Sequence, residues 1–187
     1  MSFFDREQAA DVSKFDVLCR ALQLTESEQD KHAHTIGRVL MTPEFDVNML
    51  GQWGELWWKR YRAALHVACG YRIQSHIGAQ LLLSDERCDV NHEDYNGDTA
   101  LIEALWWVEF ENDKFAKILR LLMAHPRIGI NKQNRRGETA LHRACGYRIK
   151  SYVGAQLLLC DEKCDVNLEN GHGDSALMTA VKWAESR

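Results

Sequence analysis

Apolar residues along the chain alternate between two kinds of stretch. In GETALHRAC (137–145) a threonine able to cap a helix precedes small and apolar residues at helical spacing, and VGAQLLL (153–159) follows after a polar break. This pattern predicts a helix, a loop and a helix. Between such pairs stand NHEDYNG (91–97) and NKQNRRG (131–137), whose Asn, Asp and Gly tolerate the left-handed backbone of a tight reversal. The units repeat almost verbatim. ALHVACGYRIQSHIGAQLLLSDERCDVN begins at Ala64 and ALHRACGYRIKSYVGAQLLLCDEKCDVN at Ala140. Leucines at 65, 101, 141 and 177 are spaced by 36, 40 and 36 residues. Asn48, Asn91, Asn131 and Asn167 keep a similar beat behind Val47, Val90, Ile130 and Val166. An earlier copy runs from Asp16 to Asn48 and aligns without a gap on Thr99 to Asn131. The approximate units are 12–48, 49–91, 92–131, 132–167 and a partial 168–187, within a single domain 1–187.

GDTALIEA (97–104), GETALHRA (137–144) and GDSALMTA (173–180) are similar to the ankyrin-repeat tip G-x-T-P-L-H-x-A. The resemblance covers roughly residues 16 to 187. It implies an all-α fold, a helix-turn-helix solenoid with tight β-turn fingers between repeats. Two departures stand out. Ala63 and Ala140 lie where the family favours Thr-Pro, and every unit exceeds the family period of about 33. Lengthened helices or a longer inter-helix loop should absorb the excess. Between Asn48 and Leu65 an enlarged finger, LGQWGELWWKRY (50–61), is inserted, and an extended GELWWKRYR would show Trp57 and Trp58 on opposite faces. At the other end MTAVKWAESR (178–187) completes a first helix with no second helix behind it. That end is a half-repeat cap, a cut from a longer protein, or a docking face.

Composition narrows the function classes. A chain of 187 residues can bury about 70% of its unfolded surface. MSFFDREQAA places charges where a signal peptide is apolar, and no apolar run reaches the length of a membrane helix, so a soluble, cytoplasmic protein is expected. A net charge of −4 argues against nucleic acid as a partner. The six cysteines include two pairs in equivalent slots, Cys69 with Cys145 and Cys88 with Cys164. Repetition explains them better than disulfides do.

His66-x-x-Cys69 and His142-x-x-Cys145 suggest a metal ligand or thiol nucleophile at first sight. Two stacked units separate them by about 20 Å, too far to share one ion. A histidine that hydrogen-bonds the neighbouring turn beside a buried small cysteine is the simpler reading, with no metal and no cofactor. A stronger candidate is an aromatic row. In the register of the repeat, Tyr71, Trp106 with Trp107, Tyr147 and Trp183 occupy equivalent slots at the end of each first helix, facing either a concave groove or the next unit. The turn tips add Tyr95, Asn96, Arg135, Arg136 and His172, and the finger adds Trp53 and Trp57. Tyr, Trp and Arg are the types enriched at binding hot spots.

The resemblance implies a non-catalytic protein–protein interaction module, monomeric alone, that binds a partner protein through its groove and tips. It further suggests a host-directed effector or inhibitor working in a host cytoplasm. The alternative is a regulatory or targeting domain of a larger, enzymatic protein. Family hydroxylation of asparagine in D-V-N turns places Asn91 and Asn167 as modification candidates, each with a leucine eight residues earlier.

Overall fold

Helices begin where the sequence supplies a cap. The computed structural model describes residues 14–23, 29–53, 60–70, 75–105, 113–146 and 152–185, with backbone alone at 29–32, 52–53, 60–61, 113–114, 152 and 183. Its elements in chain order are α1 (residues 14–23), α2 (Gln29–Leu40), β1 (Gly51–Trp53), β2 (Arg60–Arg62), α3 (Ala64–Cys69), α4 (His76–Leu83), α5 (Ala100–Ala104), α6 (Asp113–Met123), α7 (Ala140–Cys145), α8 (Tyr152–Leu159) and α9 (Ala176–Glu185). The first helices open at Ala64, Ala100, Ala140 and Ala176, in step with the leucine anchors. Thr99, Thr139 and Ser175 stand before three of them and accept the backbone N–H three residues on.

Two rows result. α3 packs on α5, α5 on α7 and α7 on α9, while α2 packs on α4, α4 on α6 and α6 on α8. One apolar core runs between the rows, from Phe15, Leu18 and Leu22 of α1 through Leu65, Leu101 and Leu119 to Leu141 and Leu158. Helices approach closely where a side chain is missing: a Cβ on Gly78 of α4 would strike Leu22 of α1. The expected all-α repeat fold is what the chain adopts. The finger adds a small antiparallel hairpin in which Gly51 pairs with Arg62 and Trp53 with Arg60. Residues 54–59, with Trp57 and Trp58, lie outside the described residues.

α3, α5 and α7 are only six, five and six residues long. Their added length therefore does not lie in the first helices. Residues 71–74, where a longer connection between α3 and α4 is expected, lie outside the described residues.

The near-duplicate helices α3 and α7 differ at the cap. Thr139 and His142 close a capping box: Thr139 Oγ1 accepts the His142 N–H at 3.3 Å, and His142 Nδ1 accepts the Thr139 N–H at 3.2 Å. Ala63 offers no such group, in nearly the same extended backbone. Ala63→Thr should therefore stabilise the protein by about 1 kcal/mol, raising the thermal midpoint by about 2–4 °C. Calorimetry of the variant beside Thr139→Ala, which should move the other way, checks this.

Candidate interaction surface at the turn tips

Three tips are built alike. The side-chain Oδ1 of Asp94 accepts the N–H groups of Asn96 (2.7 Å) and Asp98 (2.9 Å). Asn134 does the same for Arg136 and Glu138, and Asn170 for His172 and Asp174. In each tip the backbone then closes with a glycine N–H on the carbonyl three residues earlier, at 2.9 Å. Those glycines, Gly97, Gly137 and Gly173, have φ of 74°, 72° and 76°, a region that a side chain disfavours. Consecutive tips are also joined, Arg135 N–H to Asn96 O at 3.1 Å and Gly171 N–H to Arg136 O at 2.7 Å. The tip backbone is thus fixed before any partner arrives.

Below the tips, each unit holds the next. His66 Nε2 donates to Asp98 O and His142 Nε2 to Asp174 O, both at 2.9 Å. These bonds put the ring proton on Nε2. In His142 the other nitrogen serves the capping box; in His66, behind Ala63, Nδ1 is buried without a hydrogen-bond partner. Burial consequently depresses the His66 pKa from 6.5 to about 4, only partly offset by the bond to Asp98 O and the nearby Asp94 carboxylate. Arg62 and His92 add to the depression. Burial pushes the Cys69 thiol up, away from nucleophilic chemistry. The two histidines thus bond the neighbouring turn, as their place in the repeat suggests.

A buried charge ladder lies alongside. Arg62, Asp98, Glu138 and Asp174 occupy one repeat slot, and Glu103 and Arg143 occupy another. Arg62 reaches Glu103 at 2.5 Å, and Arg143 reaches Glu138 at 3.0 Å and Asp98 at 3.6 Å. Asp98 also accepts from Asn134 Nδ2 at 2.7 Å. The last member, Asp174, pairs instead with Lys182 of α9, within its own unit, at 2.5 Å. Oxygens of Asp94, Asp98 and Glu103 lie within 4.8 Å of one another, close enough for a cation. Two guanidinium groups already supply the positive charge there. Sequence reasoning missed the ladder. Its signal was available, since charges of opposite sign recur at repeat-equivalent positions in neighbouring units.

Of the sequence-predicted site residues, the structure brings Tyr95, Asn96, Arg135, Arg136 and His172 onto one edge. Tyr95 is 63% exposed. Arg135 and Arg136 are exposed, and the Arg135 guanidinium lies 5.1 Å from the Tyr95 ring centre. His172 is exposed on the following tip, and Asn96 is half-buried. The aromatic row is a different matter: Tyr71, Trp106, Trp107 and Tyr147 lie outside the described residues, as does Trp57. Trp53 ends β1 and Trp183 lies in α9, each described by backbone alone. α5 closes at Ala104 with Leu105 as its cap. Asn91 is half-buried with its amide engaged, donating to Arg127 O and accepting from Gly129 N–H, both at 2.6 Å; Asn167 is exposed.

Stacked helix pairs with a row of fixed, exposed turns define a helical-repeat scaffold. Residues 106–186 match the family described as ankyrin repeats (3 copies). The helix pairs before it continue the same two-row packing. Ankyrin repeats generally serve protein–protein interaction and are typically non-catalytic. No curated protein matches the chain. Among the described residues no helix is long and apolar enough to cross a membrane.

Two outcomes are expected. The unfolded chain takes up a proton at His66 near pH 6.5, which the folded chain refuses down to about pH 4. Stability is full above pH 6.5 and should fall by up to about 3 kcal/mol as pH drops through that window. His66→Gln, which keeps a donor for Asp98, should flatten this part of the profile in urea melts. Arg143→Met should cost about 3–5 kcal/mol by leaving Asp98 and Glu138 uncompensated, and adding Asp98→Asn should recover part of it in the same melts.

Proposed function

We propose that this protein is a non-catalytic interaction module that binds a partner protein along the edge formed by the tips, with the concave groove beside them. The observation that carries the reading is the Tyr95–Arg135 pair. An aromatic ring and a guanidinium stand exposed on backbone already fixed by tip-to-tip hydrogen bonds, yet neither side chain is needed to fill the core. Groups of these types, ordered in advance, lose little conformational entropy on binding. Arg136 and His172 extend the edge by one tip.

Tip side chains contribute little to folding, so the site separates cleanly from stability. The test is affinity capture followed by titration of the captured protein against Tyr95→Ala, Arg135→Ala/Arg136→Ala, and an outer-row control, Lys117→Ala/Arg120→Ala on α6. Tip variants should weaken binding at least tenfold, in keeping with hot-spot losses of about 2 kcal/mol, with melting temperatures unchanged. Binding that survives the tip changes and fails in the control would place the partner on the outer row and sink the proposal.

A further inference from the structure

The charged side chains of the three tips are sorted by sign. Within 94–98, 134–138 and 170–174, Asp94, Asp98 and Asp174 are buried and Glu138 is half-buried, whereas Arg135, Arg136 and His172 are exposed. The acids are also engaged. Asp94 holds backbone N–H groups of its own tip, Asp98 takes Asn134 Nδ2 and Arg143, Glu138 takes Arg143 at 3.0 Å, and Asp174 takes Lys182. Their charge acts within the scaffold. In a chain of net charge −4, the tips therefore turn guanidinium groups outward and carboxylates inward. Exposed carboxylates such as Glu44, Glu86, Asp89 and Glu162 stand instead in the loops behind the second helices. Beside the tips, Glu93 is paired with Lys132 at 3.3 Å. Exposed Glu169, beside Gly173 of the third tip, marks where the positive stretch ends.

Arg135 is the centre of that stretch. Its guanidinium lies 5.1 Å from the Tyr95 ring centre, across two tips that the Arg135 N–H to Asn96 O bond holds at 3.1 Å. Exposed ion pairs are usually weak because two long side chains must be ordered to form them. Packing on a ring orders this one in advance. A carboxylate meeting Arg135 thus gains more than one meeting a freely moving lysine, and Arg136 stands next in line for a second carboxylate. The Tyr95 ring offers an apolar surface to the methylene stem of a glutamate. Since an isolated exposed pair contributes little, several acids in succession are what this edge selects.

We propose that the tip edge takes an acidic segment of a partner protein, one that presents successive glutamates or aspartates to Tyr95, Arg135 and Arg136. The inference rests on the reading of the tips as the binding edge and adds the partner's chemistry to it. Nucleic acid, another polyanion, fits less well. Two adjacent guanidinium groups bounded by Glu169, on a chain of net charge −4, make a spot for carboxylates and not a track for a phosphate backbone.

The test is fluorescence anisotropy of the whole chain with a labelled peptide alternating glutamate and serine, its glutamine counterpart, and a thymidine oligonucleotide of equal charge. The glutamate peptide should bind about tenfold more tightly than either comparison and weaken as salt is raised. Arg135→Glu/Arg136→Glu should abolish that advantage. The same variant should bind a lysine–serine peptide that the native chain does not, which also shows that it is folded. Lys117→Glu/Arg120→Glu, an equal charge change on the outer row, should leave binding intact. Equal binding of the glutamine peptide, tighter binding of the oligonucleotide, an equal loss in the outer-row variant, or no binding at all overturns the proposal. So does self-association at low salt that Arg135→Glu abolishes, because the acidic occupant is then a second copy. A captured partner that loses affinity for Tyr95→Ala, yet ignores salt and the sign change at 135 and 136, keeps the tips as the binding edge and sinks this inference alone.

Discussion

Irregular backbone in a layered protein must find hydrogen-bond partners, and here the bonds made within each turn are completed by groups from the adjacent layer. The tip carbonyls of Asp98 and Asp174 are met by histidines one unit earlier, and the loop behind each second helix is met by an asparagine one unit earlier. Arg87 belongs to the same scheme: its guanidinium gathers the carbonyls of Leu40, Thr42, Pro43 and Phe45 at the close of the preceding unit. Arg127 repeats the act on Glu86 and Cys88. These contacts fix the spacing of the layers more tightly than apolar packing could, since packing is non-directional. The exposed tips are rigid because this requirement is met beneath them.

The charge ladder adds order to the stacking. A buried ion pair contributes little net stability, but an unmatched one is costly. With Arg62 facing Glu103 and Arg143 facing Asp98, the layers of α3, α5 and α7 are each matched in charge to the next. An exchange of layers would set like charges together. That arrangement favours one sequence of units, although the helices themselves are nearly interchangeable.

Much of this was legible in the sequence, for definite reasons. The period appeared because each layer needs the same leucine, the same turn and the same asparagine, so the physics repeats with the text. The histidine's bond to the neighbouring turn followed from its place in that text. Less legible were features made by differences between copies: Ala63 in place of Thr139, which orphans His66 Nδ1, and the opposite charges at equivalent slots, which matter only once layers are stacked. Tip residues could be named from sequence because turns must be exposed, but the stacking of Arg135 on Tyr95 depends on tips one unit apart coming side by side.

Contacts confined to neighbouring layers also set how such a molecule comes apart. Its stability is close to a sum of unit and interface contributions, with no long-range closure to make loss all-or-none. Under a mechanical load or an unfoldase, such a chain would be shed one layer at a time, like coins leaving a stack.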